Sequence, residues 1–82
     1  MLTAEQMRAA RAIIRMEQGE LAKASGVSVE TVKRLESLRG TVSAQLSTVT
    51  AIKRALEAAG VLFIDENGEG AGVRLRKADA HK

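Results

Sequence analysis

Residues 18–36 read QGELAKASGVSVETVKRLE, and this stretch decides the fold. Its first half predicts a short helix, about Gln18 to Ser25, with Leu21 and Ala22 on the inward face. The helix should end at Gly26, because glycine readily adopts the left-handed backbone conformation that closes a helix. Ala22 has the small side chain that lets a second helix cross closely.

The second half of the stretch predicts another helix, from Val29 to about Ser37. Ser28 is a good N-cap residue, and Val32 and Leu35 fall on the inner face, where they would pack back on the preceding helix. Two short helices joined in this way make a helix-turn-helix, whose second helix fits the major groove of B-DNA, about 12 Å wide. The full set of residues at this spacing favours binding of double-stranded DNA.

One further helix is predicted on each side of this motif. Thr3 and Gln6 have the spacing of a capping box, and apolar residues at helical spacing follow, so the first helix should run from about Ala4 to Arg15. The last helix should end at Gly60. The residues on its predicted inner face are Leu46, Val49, Ile52, Leu56 and Ala59.

The chain changes character after Gly60. Residues 61–64 are apolar strand formers, residues 65–72 are turn material, and residues 73–76 alternate between apolar and basic side chains. This pattern predicts a β-hairpin with a loop that is longer than usual.

Both faces of the first predicted strand are apolar, since neighbours along a strand point to opposite sides. A chain of 82 residues has little left with which to cover the second face. The hairpin is therefore predicted to join two copies of the chain, burying Leu62, Ile64 and Leu75 while Arg74 and Arg76 stay in water. The alternative is a strand packed wholly inside one protomer. The predicted interface residues are Val61, Leu62, Phe63, Ile64, Val73 and Leu75.

The chain lacks residue types that many other functions need. The chain has no cysteine, and its one histidine is His81, so thiolate catalysis, cysteine zinc sites and histidine-based catalysis lack their groups. We therefore expect no enzymatic activity, no metal and no cofactor. The absence of a long apolar run and of a signal-peptide core predicts a soluble, cytoplasmic protein without a membrane partner. The net charge of +3 permits a polyanionic partner.

The chain resembles the Xre, or lambda-repressor-like, family of bacterial helix-turn-helix regulators. The matching motifs are Leu21-Ala22, Gly26-Val27-Ser28, Thr31, Leu35-Glu36, residues 55–61, residues 63–68 and residues 72–76. The resemblance covers roughly Leu2 to Lys77. It implies a mostly α fold, in which a four-helix lambda-repressor-like domain is followed by a C-terminal β-hairpin.

The resemblance also implies a transcriptional regulator that acts as a homodimer on a two-fold DNA site. In this scheme residues 1–60 form the DNA-binding domain, with the helix-turn-helix at 18–37. Residues 61–77 form the dimerisation hairpin, and residues 78–82 form a disordered tail. The family also includes antitoxins and antiactivators, so an alternative is a protein that binds and neutralises a toxin or another regulatory protein.

The family pattern assigns DNA contacts to particular positions of this chain. Gln18 should touch a phosphate or a base edge. The groove-facing positions are Ser28, Val29, Glu30, Lys33 and Arg34. Arg34 suits guanine, Glu30 suits a cytosine amine, and Val29 suits a thymine methyl group. Glu30 has an alternative role, since an acid in the first turn of a helix complements the helix dipole.

Other positions carried over from the family concern phosphates and the stability of the fold. Those expected to bind phosphates are Lys33, Arg39, Ser47 and Thr48. Arg11 and Glu36 match a pair that ties the first helix to the third. Two departures from the family pattern, Glu17 at the N-cap of the second helix and Gly19 inside it, predict a looser second helix.

Overall fold

The computed structural model of the chain describes residues 1–77, so the tail predicted at residues 78–82 lies outside the described residues. The elements in chain order are α1 (Ala4–Ile14), α2 (Gln18–Ser25), α3 (Val29–Glu36), α4 (Leu46–Ala58), β1 (Val61–Ile64) and β2 (Gly72–Leu75). The predicted mostly helical fold with a C-terminal hairpin is confirmed. The ends of α1, α3 and β2 lie one residue from their predicted positions. No helix within residues 1–77 has both the length and the apolar character needed to cross a membrane.

Local signals account for most helix boundaries. The Thr3 hydroxyl accepts the N–H of Gln6 at 3.0 Å, and the Gln6 side chain accepts the N–H of Thr3 at 3.0 Å, which confirms the predicted capping box. Ser28 caps α3 by accepting the N–H of Thr31 at 3.2 Å. Gly26 closes α2 with a φ of 76°, as predicted. α1 is instead closed by Arg15, the residue after its last turn, which adopts the left-handed conformation without being glycine.

One apolar core joins the helices to the hairpin. The buried side chains that form it are Leu2, Ala4, Met7, Ala10, Leu21, Val32, Leu35, Val42, Ile52, Leu56 and Val61. Three members of the predicted inner face of α4 are not among these buried side chains. Val49 is half-buried against the core. Leu46, the first residue of α4, is 80 % exposed, and Ala59, directly after the helix, is also exposed.

The segment before α1 pairs with the loop after α3. Val42 donates its N–H to the Leu2 carbonyl at 2.9 Å, and Ala4 donates to the Gly40 carbonyl at 2.9 Å. Thr3 and Thr41 thus form an isolated antiparallel bridge. The sequence pattern did not predict this pairing, which anchors the start of α1 next to the end of α3.

The hairpin register corrects the predicted interface. Val61 pairs with Leu75, and Leu62 pairs with Arg74. Since paired residues share a face, Leu75 lies on the Val61 face, while Arg74 lies beside Leu62. The predicted grouping of Leu62, Ile64 and Leu75 on one side, with Arg74 on the other, is therefore wrong.

The face that carries Val61 packs on the helices. Val61 is fully buried in the protomer's own core, and Phe63 and Val73 are half-buried against it. These three residues are taken up by the protomer itself. Of the predicted interface residues, Leu62 and Leu75 are exposed and Ile64 is half-buried.

Candidate nucleic-acid interface

The helix-turn-helix is built as the sequence predicted. α2 packs against both α3 and α4, and α3 packs against α1. Leu21, Val32 and Leu35 are completely buried between these helices. Their burial fixes the rotation of α3 about its axis, which leaves a polar side of α3 in solvent.

The exposed side of α3 carries the side chains assigned to the major groove. Glu30, Lys33 and Arg34 are exposed, and Val29 is half-buried. Ser28 is also exposed, but its hydroxyl oxygen accepts the Thr31 N–H, and its hydroxyl group donates to the Thr31 side chain at 2.9 Å. Ser28 therefore acts as the helix cap, and its hydroxyl is already engaged within the protein.

A shallow, open depression lies between the start of α2 and α3. Its lining residues are Arg11, Glu17, Gln18, Gly19, Val29 and Lys33. The first N–H groups of a helix have no acceptor within the helix, so this end of α2 offers donors as well as a positive dipole end. Gly19 lies there with open space around it, so the main chain can be approached closely.

Gln18 is fixed within this depression. Its side-chain amide donates to the Glu36 carboxylate at 3.1 Å. The side-chain carbonyl oxygen and the main-chain N–H of Gln18 take no part in that hydrogen bond. The predicted position of Gln18 at the start of α2 is confirmed, and its tie to Glu36 was not anticipated from the sequence.

The pair of Arg11 and Glu36 is present. The Arg11 guanidinium donates two hydrogen bonds to the Glu36 carboxylate, at 2.5 and 2.6 Å, and a third to the Met16 carbonyl at 2.9 Å. Glu36 is only 4 % exposed. The hydrogen bonds that Arg11 donates to the Glu36 carboxylate raise the pKa of the Arg11 guanidinium. The pair ties α1 to α3 directly behind the exposed side of α3.

Two residues of α1 that the sequence reading did not single out also hold α3. Arg8 donates to the main-chain carbonyls of Glu36 and, at 3.3 Å, Leu38, at the end of α3. The Glu5 carboxylate accepts the Gly40 N–H at 3.0 Å. The pKa of Glu5 is lowered by its own backbone N–H and by that of Gly40. The sequence signal for these contacts was an acid and a base three residues apart on α1. Only the tertiary structure reveals the main-chain carbonyls and the N–H group that they bind.

The remaining predicted phosphate contacts lie on segments that follow α3. Arg39, in the loop after α3, and Ser47, in the first turn of α4, are exposed, and Thr48 is half-buried. No hydrogen bond joins these side chains to α3 within residues 1–77. They are thus independent of the hydrogen bonds that join Arg11 and Gln18 to Glu36.

The predicted loosening of α2 does not shorten the helix. The helix covers the predicted residues from Gln18 to Ser25. The Glu20 carboxylate accepts the N–H of Glu17 at 2.8 Å. Glu20 thus supplies a capping hydrogen bond at the start of α2, where Glu17 stands at the N-cap in place of a serine or threonine.

Comparison with known proteins adds no assignment: no protein-family model matches the chain, and no curated protein matches it significantly.

Proposed function

We propose that this chain is a transcriptional regulator that binds double-stranded DNA sequence-specifically, as a homodimer on a two-fold site, without catalysis or a cofactor. The observation that carries the proposal is the arrangement of α3. Val32 and Leu35 anchor one side of the helix in the core. Glu30, Lys33 and Arg34 lie on the same two turns and are exposed to solvent. A short helix held in this way can enter a major groove with its polar side chains toward the base edges.

The surroundings of α3 suit a DNA backbone. Lys33 and Arg39 supply positive charge, and the start of α2 supplies free main-chain N–H groups beside Gln18. Ser47 adds an exposed hydroxyl group. In the proposed complex these groups hold phosphates and set the register of α3 in the groove.

Base readout is assigned to the exposed side chains of α3. Arg34 would donate to the O6 and N7 atoms of a guanine, and Val29 would contact a thymine methyl group. Glu30 would accept from a cytosine amine; in its alternative role it only complements the dipole of α3. Glu36 and Arg11 take no part in readout in this proposal, because they are paired with each other.

Selection of bound fragments from a random DNA pool tests the proposal. We expect a short half-site repeated with two-fold symmetry. Arg34→Ala should weaken binding by about 1 to 3 kcal/mol and relax one base preference. Lys33→Ala should weaken binding to all DNA sequences alike. It should also reduce the slope of log K against log salt concentration by about one. Arg54 on α4 is the matched control, because it lines a different depression from the one beside α3.

A second candidate function is binding and neutralising a partner protein such as a toxin. The observation that favours it is the exposed Leu46, which lines an apolar groove with Leu2, Val42 and Val49. Recovery of one specific protein with the wild-type chain, its loss with Leu46→Glu and its retention with Arg34→Ala would identify this function. Selection of a DNA sequence that requires Arg34 would favour the first.

A further inference from the structure

The hydrogen-bond pattern of the hairpin shows which main-chain groups are left at its edges. The Arg76 N–H donates to the Gly60 carbonyl at 2.6 Å, one position beyond the pair of Val61 and Leu75. Hydrogen-bonded and non-bonded pairs alternate along an antiparallel ladder. Leu62 and Arg74 are therefore a bonded pair, and Val61 and Leu75 are a non-bonded one.

On β2 this alternation turns the N–H and C=O groups of Val73 and Leu75 away from β1. Within residues 1–77, no backbone or side-chain hydrogen bond from another element reaches these groups. β2 thus presents an unpaired edge, and such edges readily accept another strand.

The edge of β2 carries exposed side chains. β2 packs against α1, and β1 packs against both α1 and α4. On β1, Val61 is buried, and the Lys53 ammonium group lies 5.6 Å from the centre of the Phe63 ring. On β2, Leu75 is 55 % exposed, and Arg74 is exposed as well. An incoming strand therefore has access at β2.

Charge is separated along the hairpin. The loop at its tip carries Asp65, Glu66 and Glu69, and the other end carries Arg74, Arg76 and Lys77, all of them exposed. Two hairpins in antiparallel orientation bring the acidic tip of each to the basic end of the other. This complementarity points to a second copy of the same chain as the occupant, since an isologous contact places one surface against itself.

We propose that β2 pairs antiparallel with β2 of a second copy, centred on Val73, to give a continuous sheet of four strands. The inference rests on the proposed function at one point, since a two-fold DNA site needs a dimer. It specifies the strand edge and the register for the joining of two hairpins that the sequence pattern predicted. Three or more strands also make a more persistent sheet than an isolated hairpin.

The charges select this register. Centring on Val73 sets Arg74 opposite the partner's Gly72, and it brings Lys77 level with the partner's Glu69. Centring on Arg74 would instead set two arginines directly opposite, at a Cα separation of about 4.5 Å, where like charges destabilise a sheet. Centring on Leu75 would set Arg74 opposite the partner's Arg76.

Gly72 has a specific role in this arrangement. It lacks a side chain at the position that faces the partner's Arg74, and on its own hairpin it pairs with Ile64. The aliphatic stem of the partner's Arg74 can therefore lie across Gly72 and cover the half-buried Ile64, with its guanidinium in water.

Proline and threonine at position 75 test the edge. Leu75→Pro removes an N–H that points away from β1, so the bonds within the hairpin are kept. Leu75→Thr also removes the apolar side chain but keeps the N–H. By light scattering and sedimentation without DNA, we expect a dimer for the wild type and for Leu75→Thr, and a monomer for Leu75→Pro. A monomeric wild type, or a folded Leu75→Pro that remains dimeric, overturns the proposal.

Charge reversal tests the register without altering the main chain. Glu69→Lys and Lys77→Glu each place like charges at both ends of the dimer, so each should raise the dimer Kd by about tenfold or more. Mixing the two variants restores opposite charges at both ends, so the heterodimer should return to the wild-type Kd. Asp65→Lys is a matched control on the same loop, outside the proposed cross-strand pairs.

Failure of the mixture to restore dimerisation would overturn the proposed register. These measurements contain no DNA, so they are independent of whether α3 reads bases. A stable dimer with no DNA preference would count against the proposed function, and sequence-specific binding by a chain without this dimer would count against the sheet.

Discussion

Glu36 shows how much of this fold converges on one side chain. Its carboxylate accepts two hydrogen bonds from Arg11 on α1 and one from Gln18 on α2, while the residue itself belongs to α3. Its main-chain carbonyl accepts from Arg8. A buried carboxylate is favourable only when its partners satisfy its charge, and here α1 and α2 supply those partners.

We predict that Glu36→Gln lowers stability by about 3 kcal/mol, because it leaves the Arg11 guanidinium partly buried without its countercharge. For a chain of this size the melting temperature should fall by about 4 to 8 °C for each kcal/mol. Thermal unfolding followed by circular dichroism measures the change. Glu30→Gln, the same substitution at an exposed position of α3, should leave the melting temperature nearly unchanged. An altered DNA base preference with unchanged stability would assign Glu36 to readout.

Glu5 supplies a prediction for acid conditions. Backbone N–H groups lower its pKa from the ordinary value of 4.5. A group whose pKa is lower in the folded state stabilises the fold above its unfolded pKa, and this contribution is lost as the pH falls through the folded pKa. Arg11 has a raised pKa and stays charged throughout this range.

We therefore expect the melting temperature of the wild type to exceed that of Glu5→Gln at pH 6, and the difference to shrink below about pH 4.5. Thermal melts between pH 2.5 and pH 7 measure this convergence. Asp65→Asn is the matched control, because the exposed Asp65 carboxylate accepts no hydrogen bond within residues 1–77. A gap between wild type and Glu5→Gln that is constant with pH would contradict the role of the Gly40 contact.

Among the elements, α1 packs against the hairpin, and one amide side chain of α1 hydrogen-bonds to both strands. Gln6 is 2 % exposed, and its Nε2 atom donates to the carbonyls of Ile64 at 3.2 Å and Gly72 at 3.0 Å. Its Oε1 atom at the same time accepts the Thr3 N–H. Gln6 thus caps α1 and holds the two strands at the loop end of the hairpin.

Gln6→Glu separates the two roles. A glutamate can still accept the Thr3 N–H, since glutamate and glutamine both complete a capping box. It cannot donate to the two carbonyls, which then face a buried negative charge. We expect a loss of about 2 to 3 kcal/mol at neutral pH and a smaller loss in acid, where the protonated carboxyl regains one donor.

Amide hydrogen exchange locates the effect of Gln6→Glu. We expect faster exchange at Leu62 and Ile64, which are bonded within the hairpin, than at core positions of α4. Thr3→Ala is the control, because it removes the cap and keeps both hairpin contacts. Equal acceleration by both variants would mean that the carbonyl contacts contribute nothing specific.

The elements that sequence predicted well are those set by neighbours along the chain. Gly26 and Ser28 mark the ends of α2 and α3 through their own backbone preferences, so both boundaries could be read directly. Leu46 has the right spacing for the buried side of α4, but spacing alone cannot tell how far the neighbouring helices extend.

The candidate site shows the same contrast between features set by neighbours along the chain and contacts between distant residues. The side of α3 that carries Lys33 and Arg34 followed from periodicity, because Val32 and Leu35 had to face the core. The contacts of Arg8, Gln18 and Gln6 could not be predicted, because each joins residues that are far apart in sequence. Arg8 and Gln6 bind main-chain carbonyls, which every chain possesses, and Gln18 binds the Glu36 carboxylate.

At the scale of the whole molecule, the hairpin is part of the same core as the helices. Val61 is fully buried in it, and Phe63 and Val73 pack against it. Burying one such side chain contributes about 1.5 to 3 kcal/mol, and small domains have total stabilities near the low end of about 5 to 15 kcal/mol. The contribution of the hairpin is thus comparable with the stability of the entire chain.

We predict that a chain ending at Gly60 does not fold cooperatively. Its loss of Val61, Phe63 and Val73 opens the core to water, and its loss of the two Gln6 contacts leaves a buried amide without acceptors. Urea unfolding followed by circular dichroism should show no sigmoidal transition for residues 1–60, whereas the full chain should unfold in one step. Leu62→Thr, a change at an exposed hairpin position, should shift the midpoint only slightly. If residues 1–60 unfold cooperatively with a midpoint near that of the full chain, the helices form an independent domain. In that case the hairpin would be an appendage whose loss affects only the association of copies.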